Sequence, residues 1–336
     1  MSVISPPSPA AIEAGAHEQR ELLRWVAELY YLQQQGQADI AALIGVSVSK
    51  VSRLLAEARR RGIVTITVAD SLAGQSDLER ELASELGLRG VYAAPARVTD
   101  AGTASRAAAL TAARLLPQWL SSPGTLGLSG GYTVAEFTRA LEPRAAGDIV
   151  VVPLQGNWVE GDVHLHNDQV CRDAAARLGG RALSLPAPML VERAATRTAL
   201  LQDRSIRPVR ERWSDLSVAV VGVGRSPDSE ESTYPSVMGA LPRSVRDDLH
   251  RRGVVGDLCA HMFDLNGRFV DHEASRRTLS ISIGDLRRAS LVVAVAGGVA
   301  KAASLLGAVR TGIPHVLVTD QQTAERLLSL VKHQGA

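Results

Sequence analysis

The chain has 336 residues, 46% hydrophobic and 21% charged, with a net charge of +2; it can hold one small and one large domain, or two of middling size, around a substantial core. Near-neutrality excludes a surface coated in basic groups, so any contact with nucleic acid has to be local. Two cysteines, Cys171 and Cys259, cannot make a disulfide framework, the start of the chain lacks the pattern of a secretion signal, and no uninterrupted apolar run approaches a membrane span; a cytoplasmic protein without membrane contact is expected.

Residues 1–16 place Pro6, Pro7 and Pro9 among serines and alanines, too few large apolar groups to stay folded alone, and read as a loose tail. From His17 to Gln35 the residues Leu22, Leu23, Trp25, Val26, Leu29, Tyr30 and Leu32 form an apolar stripe that predicts a first helix.

The stretch Gln37–Ala56, QADIAALIGVSVSKVSRLLA, then predicts a helix-turn-helix. Ile40, Ile44, Val46, Val51 and Leu54 keep helical spacing around a break, Ala41 is small where the helices would cross, and Gly45 permits the positive φ of a tight turn. Ser47 can cap the second helix, so that helix would present Ser47, Val48, Ser49, Lys50, Ser52 and Arg53 to the major groove of DNA. A helical hairpin that merely packs is the alternative. Against it stand five basic residues (Lys50, Arg53, Arg59, Arg60, Arg61) and one acid (Glu57) between Ser47 and Arg61, a balance that counterion release favours on phosphate.

Gly62 is a natural helix stop, and Ile63–Val68 reads as a β-branched strand, either a wing or the opening of the next domain. Ala69–Gln75 reads as a hinge, and Ser76 with Glu79 gives a capping box for a helix over Asp77–Leu86. Beyond it, short apolar runs at 91–94, 125–128, 149–154, 182–185, 218–221, 291–296 and 315–318 alternate with helical stretches. Apolar strands without alternation, separated by helices, predict a parallel sheet covered on both faces, a Rossmann-like α/β domain of roughly 250 residues. The predicted domains are a tail (1–16), a helix-turn-helix DNA-binding domain (17–66), a hinge (67–75) and the large α/β domain (76–336).

Ligands of open parallel sheets bind at the carboxyl ends of strands, beside helix amino termini. Three such junctions are rich in small residues: Gly127–Thr133 with the hydroxyls of Ser129 and Thr133, Val221–Gly224, and Ala296–Lys301, which puts a lysine on a helical first turn. Glycines there also serve close strand-to-helix packing, so each junction keeps two readings. His164, His166 and Asp168 could gather at a metal, but no second ligand group accompanies them and a solvated loop is the better reading. GLSGG resembles in outline the nucleophile elbow of esterases, although nothing marks His261 or His315 as a partner; Cys259 reads as a small buried residue.

Taken together, the helix-turn-helix at Asp39–Leu55, GLSGGYTV, LPAPMLVE, VVGVG, GDLCAHMFDLNGR and AGGVAKAASLLGAVRTGIPHVLVTD resemble the SorC family of bacterial sugar-responsive transcription regulators, from about Glu18 to Leu330. The resemblance implies a large domain folded like sugar-phosphate isomerases but used to sense an effector; no cofactor is expected. It implies that Ser129, Gly130, Gly131 and Thr133 hold the effector's phosphate or polar head, that Lys301 reaches the same pocket, and that Gln155, Asn157 and Asp257 face sugar hydroxyls. Gly130 and Tyr132 depart from the residues many relatives carry. The expected protein is a DNA-binding regulator of a carbohydrate-catabolism operon, a homodimer or homotetramer whose partners are operator DNA and a sugar or sugar phosphate. The rival is a sugar-phosphate isomerase or aldolase-like enzyme with an accessory helical domain, in which Lys301 would form a Schiff base.

Overall fold

A computed structural model describes residues 16–61, 63–64, 75–95, 100–144, 147–157, 165–226 and 236–334. The contacts divide the chain into two compact units, at 1–73 and 74–336. Residues 1–15 of the predicted tail, Gly62 as helix stop, most of the 63–68 strand and most of the 69–75 hinge lie outside the described residues, as does His164; the tail's last residue, Ala16, opens the first helix.

In the first unit, α1 (Ala16–Ala27) continues into a widened π-turn at Glu28–Leu32, and Gln34 takes a positive φ of 54° before α2 (Gln37–Ile44) begins. The widened turn rotates Leu32 off the expected stripe and leaves it 78% exposed. Gly45, at φ 68°, closes α2 in the left-handed region, and α3 (Val48–Arg60) starts from Ser47, whose hydroxyl accepts from the backbone N–H of Lys50 at 3.3 Å. Leu23, Val26, Ile40, Val51, Leu55 and Ala58 make a small shared core, so the helix pair is held by packing rather than by propensity alone.

The second unit opens on α4 (Asp77–Leu86), with the Ser76–Glu79 capping box formed in both directions. It continues through β1 (Gly90–Ala94), α5 (Ala101–Trp119), β2 (Gly124–Leu128), α6 (Tyr132–Ala140), β3 (Ile149–Pro153), α7 (Asn167–Leu178) and β4 (Arg181–Ala182). Then follow α8 (Ala194–Gln202), α9 (Arg207–Trp213), β5 (Val218–Gly222), α10 (Arg243–Arg251), β6 (Val254–Leu258) and β7 (His261–Asp264). The chain ends through α11 (Glu273–Arg276), α12 (Ile283–Arg288), β8 (Leu291–Val295), a 3-10 turn at Val299–Lys301, α13 (Ala302–Arg310), β9 (Val316–Asp320) and α14 (Gln321–Gln334).

Seven strands form one parallel sheet in the order β1-β9-β8-β5-β2-β3-β4. Alternate residues of an inner strand enter different cores: in β5, Val218 and Val220 pack with residues of α5, α6 and α7, whereas Ala219 and Val221 pack with residues of α4, α9 and α13. Both faces are therefore covered, which is why the strands read as unbroken apolar runs. The 182–185 run yields only a two-residue strand, because the Asp168 carboxylate takes the Leu185 N–H at 3.0 Å and the Ser184 hydroxyl, replacing a strand partner. The antiparallel ribbon β6–β7 is an addition to the elements the sequence predicts. Among the described residues no helix is long and apolar enough to cross a membrane.

Candidate functional site

From β2 the chain proceeds to β3 and β4 on one side of the sheet, and from β5 it proceeds to β8 and β9 on the other. The carboxyl ends of the adjacent strands β2 and β5 thus mark the topological switch point, where a crevice is unavoidable. A cavity of about 500 Å³ lies there. Its walls are the β2–α6 loop, Gly222–Arg225 after β5, Gly297, Gly298, Ala300 and Lys301 after β8, the start of α5, and Asp257 and Cys259 of the ribbon.

The β2–α6 loop is fixed from several directions. Ser129 is 3% exposed, and its Oγ accepts from the Gly222 N–H at 3.0 Å, which ties the first two glycine junctions together. A Cβ on Gly130 would stand 1.8 Å from the Asn167 Oδ1, and Asn167 cannot yield because its Nδ2 donates to the carbonyls of Gln155 and Gly156 at 2.7 and 2.9 Å. The glycine at 130 is thereby explained by packing. Gly131, at φ 104°, turns the chain into α6 without a capping side chain, and Thr133 lines the wall at that helix's amino terminus. The amino termini of α5 and of the Val299–Lys301 turn open on the same cavity, so partial positive charge converges there.

Opposite sits the charged pair. The Asp257 Oδ2 accepts from the Ala260 N–H at 2.9 Å, and a Cβ on Gly224 would meet its Oδ1 at 1.8 Å, so Gly224 is the space the carboxylate occupies. The Lys301 Nζ donates to the Val223 carbonyl at 2.8 Å. Burial pushes the Asp257 carboxyl up to about 6, against the Ala260 N–H and the Lys301 charge, which act the other way. Burial, then the charge of Arg225, pushes Lys301 down to about 8, with Asp257 opposing. Burial thus draws both groups toward their neutral forms, so a bound ligand that pairs with either charge can shift its proton.

Of the residues singled out in the sequence, the cavity brings together Ser129, Gly130, Gly131, Thr133, Gln155, Gly222, Gly224, Asp257 and Lys301. Asn157 is not among them. Its Oδ1 accepts from the Asp168 N–H at 3.0 Å and its Nδ2 donates to the Leu185 carbonyl, so this side chain holds the start of α7 instead of facing a ligand. Residues that the sequence reading passed over include Arg106, which pairs with Glu136 at 3.2 Å, Arg225, and Asp100, whose carboxylate caps α5 by accepting from the Thr103 N–H at 2.8 Å. The Asp100–Thr103 cap was the available signal for that wall. Behind the wall, Asp320 accepts from the Gly298 N–H at 2.8 Å and from Thr323, and the Ser105 hydroxyl donates to the Gly297 carbonyl at 3.2 Å.

Among the described residues the competing chemistries find no geometry. The His261 Nε2 lies 2.7 Å from the Ile281 carbonyl and the His315 Nδ1 accepts from the Val292 N–H, so both histidines serve the fold while Ser129 serves Gly222. Burial drives the Cys259 thiol far up, as for an inert core cysteine. Among the described residues no group of histidine, cysteine and carboxylate side chains could hold a metal ion.

In the first unit, α3 buries Val51, Leu54, Leu55 and Ala58 and leaves Val48, Ser49, Ser52 and Arg53 outside. Ser47 and Ser49 share a hydroxyl contact at 3.1 Å, and the Arg53 Nε donates to the Ser49 carbonyl at 3.4 Å. The five basic residues are not equivalent. Glu57 pairs with both Arg60 and Arg61, and Arg61 also reaches Gln19 at 3.2 Å, which among the described residues concentrates the uncompensated charge on Lys50, Arg53 and Arg59.

Comparison with known proteins agrees with this architecture. Residues 70–329 match the family model described as "Putative sugar-binding domain". The chain is 30% identical to the sorbitol operon regulator of Klebsiella pneumoniae over 90% of its length and 96% of the relative's. It is 25% identical to the deoxyribonucleoside regulator of Bacillus subtilis, across 93% of this chain and 98% of that one. The crystal structure of the full-length Klebsiella pneumoniae regulator superposes with a TM-score of 0.70 at 29% identity, covering 93% and 99% of the two chains. The relatives are regulators and the matched domain is a binding domain, so the enzyme reading is set aside: this chain belongs to the SorC family of sugar-binding transcriptional regulators.

Proposed function

We propose that the protein works in the cytoplasm as a DNA-binding regulator of a carbohydrate-catabolism operon, with operator affinity set by a sugar or sugar phosphate held in the switch-point cavity. The observation that carries this reading is the cavity itself, where helix amino termini and Lys301 face one space with the buried carboxylate of Asp257. Ser129, Gly130, Gly131, Thr133 and Lys301 would hold a phosphate or other polar head, and Asp257 with Gln155 would take hydroxyl donors. Residues 17–66 form the DNA-binding domain, 67–75 the hinge, and 76–336 the effector-binding and oligomerisation domain. Ser47, Val48, Ser49, Lys50, Ser52 and Arg53 meet the operator. A homodimer or homotetramer would pair recognition helices on half-sites about one helical turn apart, or a multiple of it. The effector acts by binding one quaternary arrangement better than another.

A thermal-shift screen of sugars, polyols and their phosphates tests the cavity, because a ligand of the folded state raises its melting temperature. A phosphorylated hit supports the phosphate assignment; a hit among free polyols alone removes it. With that ligand in hand, Lys301→Ala should lose the effector response and keep DNA binding, while Arg53→Ala should do the reverse. A Lys301→Ala protein with an unchanged effector dose curve takes Lys301 out of the site.

A further inference from the structure

Helix α3 divides sharply by surface chemistry. Its inner face is Val51, Leu54, Leu55 and Ala58, all buried. Its second half settles its own charge, with Glu57 holding Arg60 and Arg61. Its first turns expose small hydroxyls, one guanidinium and one apolar side chain, Val48, which is 48% exposed although Val51, one turn on, is fully buried. Val48 and Ser52 lie four residues apart on one outer face, beside Ser49 and Arg53. An isolated exposed valine needs no explanation on an ordinary surface. At the leading turn of a helix that enters the major groove it is the one apolar group offered to base edges, and the major groove offers one apolar group in return, the 5-methyl of thymine. Lys50, Arg53 and Arg59 flank that face with charge complementary to phosphate.

We propose that Val48 is a specificity-determining residue that reads the 5-methyl group of a thymine in each operator half-site. The proposal rests on the recognition-helix reading of α3 given above. It differs from the hydrogen-bonding roles open to Ser49, Ser52 and Arg53, because it requires a methyl group and no donor or acceptor. The neighbouring hydroxyls tolerate this reading, since Ser47 is engaged in capping and shares its oxygen with Ser49.

The test uses the full chain. Operator sequences are first selected from random duplex DNA, and each thymine of the consensus is then replaced singly by deoxyuridine, which removes the methyl and leaves every hydrogen-bonding group. At one thymine per half-site, wild-type affinity should fall about fourfold, the value of one buried methyl group. Val48→Ala loses the contact in both half-sites, so it should bind the unmodified operator more weakly by about the square of that factor, roughly sixteenfold, and be indifferent to deoxyuridine at that same position. Full tolerance of deoxyuridine everywhere, or an undiminished deoxyuridine penalty in Val48→Ala, overturns the proposal. Arg53→Ala separates the two levels: if it loses the operator while deoxyuridine is silent, the recognition helix stands and Val48 falls. If Arg53→Ala binds like wild type, the helix assignment itself fails. Val48 is exposed and alanine is a better helix former, so circular dichroism should show the fold of Val48→Ala intact.

Discussion

The cavity and the recognition helix are built on opposite principles. In the cavity, glycines of the wall are held by their neighbours: Gly130 by Asn167, Gly224 by Asp257, Gly297 by α5, Gly298 by Asp320. On α3 the groove-facing side chains touch little besides solvent and one another. A buried site is preorganised at some loss of stability, since its charges and strained turns are costly without a ligand. An exposed site leaves stability to the inner face of its helix. Changes in the cavity should therefore alter folding and effector binding together, whereas changes on the outer face of α3 should alter DNA binding alone.

The hardest test of that contrast is Gly297→Ala. A Cβ there would lie 2.4 Å from the backbone carbonyl carbon and oxygen of Ala104, and a helix backbone cannot move aside as a side chain can. The loss should be about 3 kcal/mol or more, at the upper end of overpacking, read as a lowered midpoint in urea with an unchanged slope. A loss below about 0.5 kcal/mol, the scale of surface changes, would mean the cavity wall is far more pliant than its packing implies.

Next comes the ionisation of Asp257. Its folded carboxyl is raised to about 6 from an ordinary 3.8, so between those values the folded state holds more protons than the unfolded one. Stability from this residue is fully present below the unfolded value and is lost as pH rises through the folded one, a difference of about 3 kcal/mol. Asp257→Asn should remove that slope and make the ligand-free protein more stable than wild type at pH 7, while abolishing the effector's thermal shift. Parallel stability-against-pH curves for the two proteins would show that the buried carboxylate is not strained in the way described.

How far the sequence foretold each region follows the same division. The helix-turn-helix was legible because its determinants are local: Gly45 at the turn, Ser47 at the cap, and apolar residues at helical spacing. The sheet was legible because burial on both faces writes itself as unbroken apolar runs. The ribbon β6–β7 was not, since its turn places Cys259 and Ala260 at φ 47° and 66° where Asn-Gly would have been the signal. Asp257 holds that turn by accepting the Ala260 N–H, a compensation visible only in three dimensions. Arg106 and Arg225 escape a sequence reading for a related reason, because only the crossing of separate β–α connections brings them to one cavity. Family position assigns Asn157 to the site, whereas its amide is engaged at the start of α7.

The smallest effect sharpens the exposed side of the comparison. Ser47→Ala removes the hydroxyl that accepts from the Lys50 N–H and should cost the first unit about 1 kcal/mol. It leaves Val48, Ser49, Ser52 and Arg53 in place but frays the turn that aims Val48 and Ser49. Operator affinity should consequently drop for every sequence to a similar degree, with base preference unchanged, and the cavity's response to its effector should stay at the wild-type level. Ser47→Asp, which restores the cap, should recover the melting temperature but not the affinity, because it adds a negative charge beside phosphate. If instead Ser47→Ala changed which operators are preferred, Ser47 would itself be reading a base, and the division of α3 into a capping residue and a reading surface would have to be redrawn.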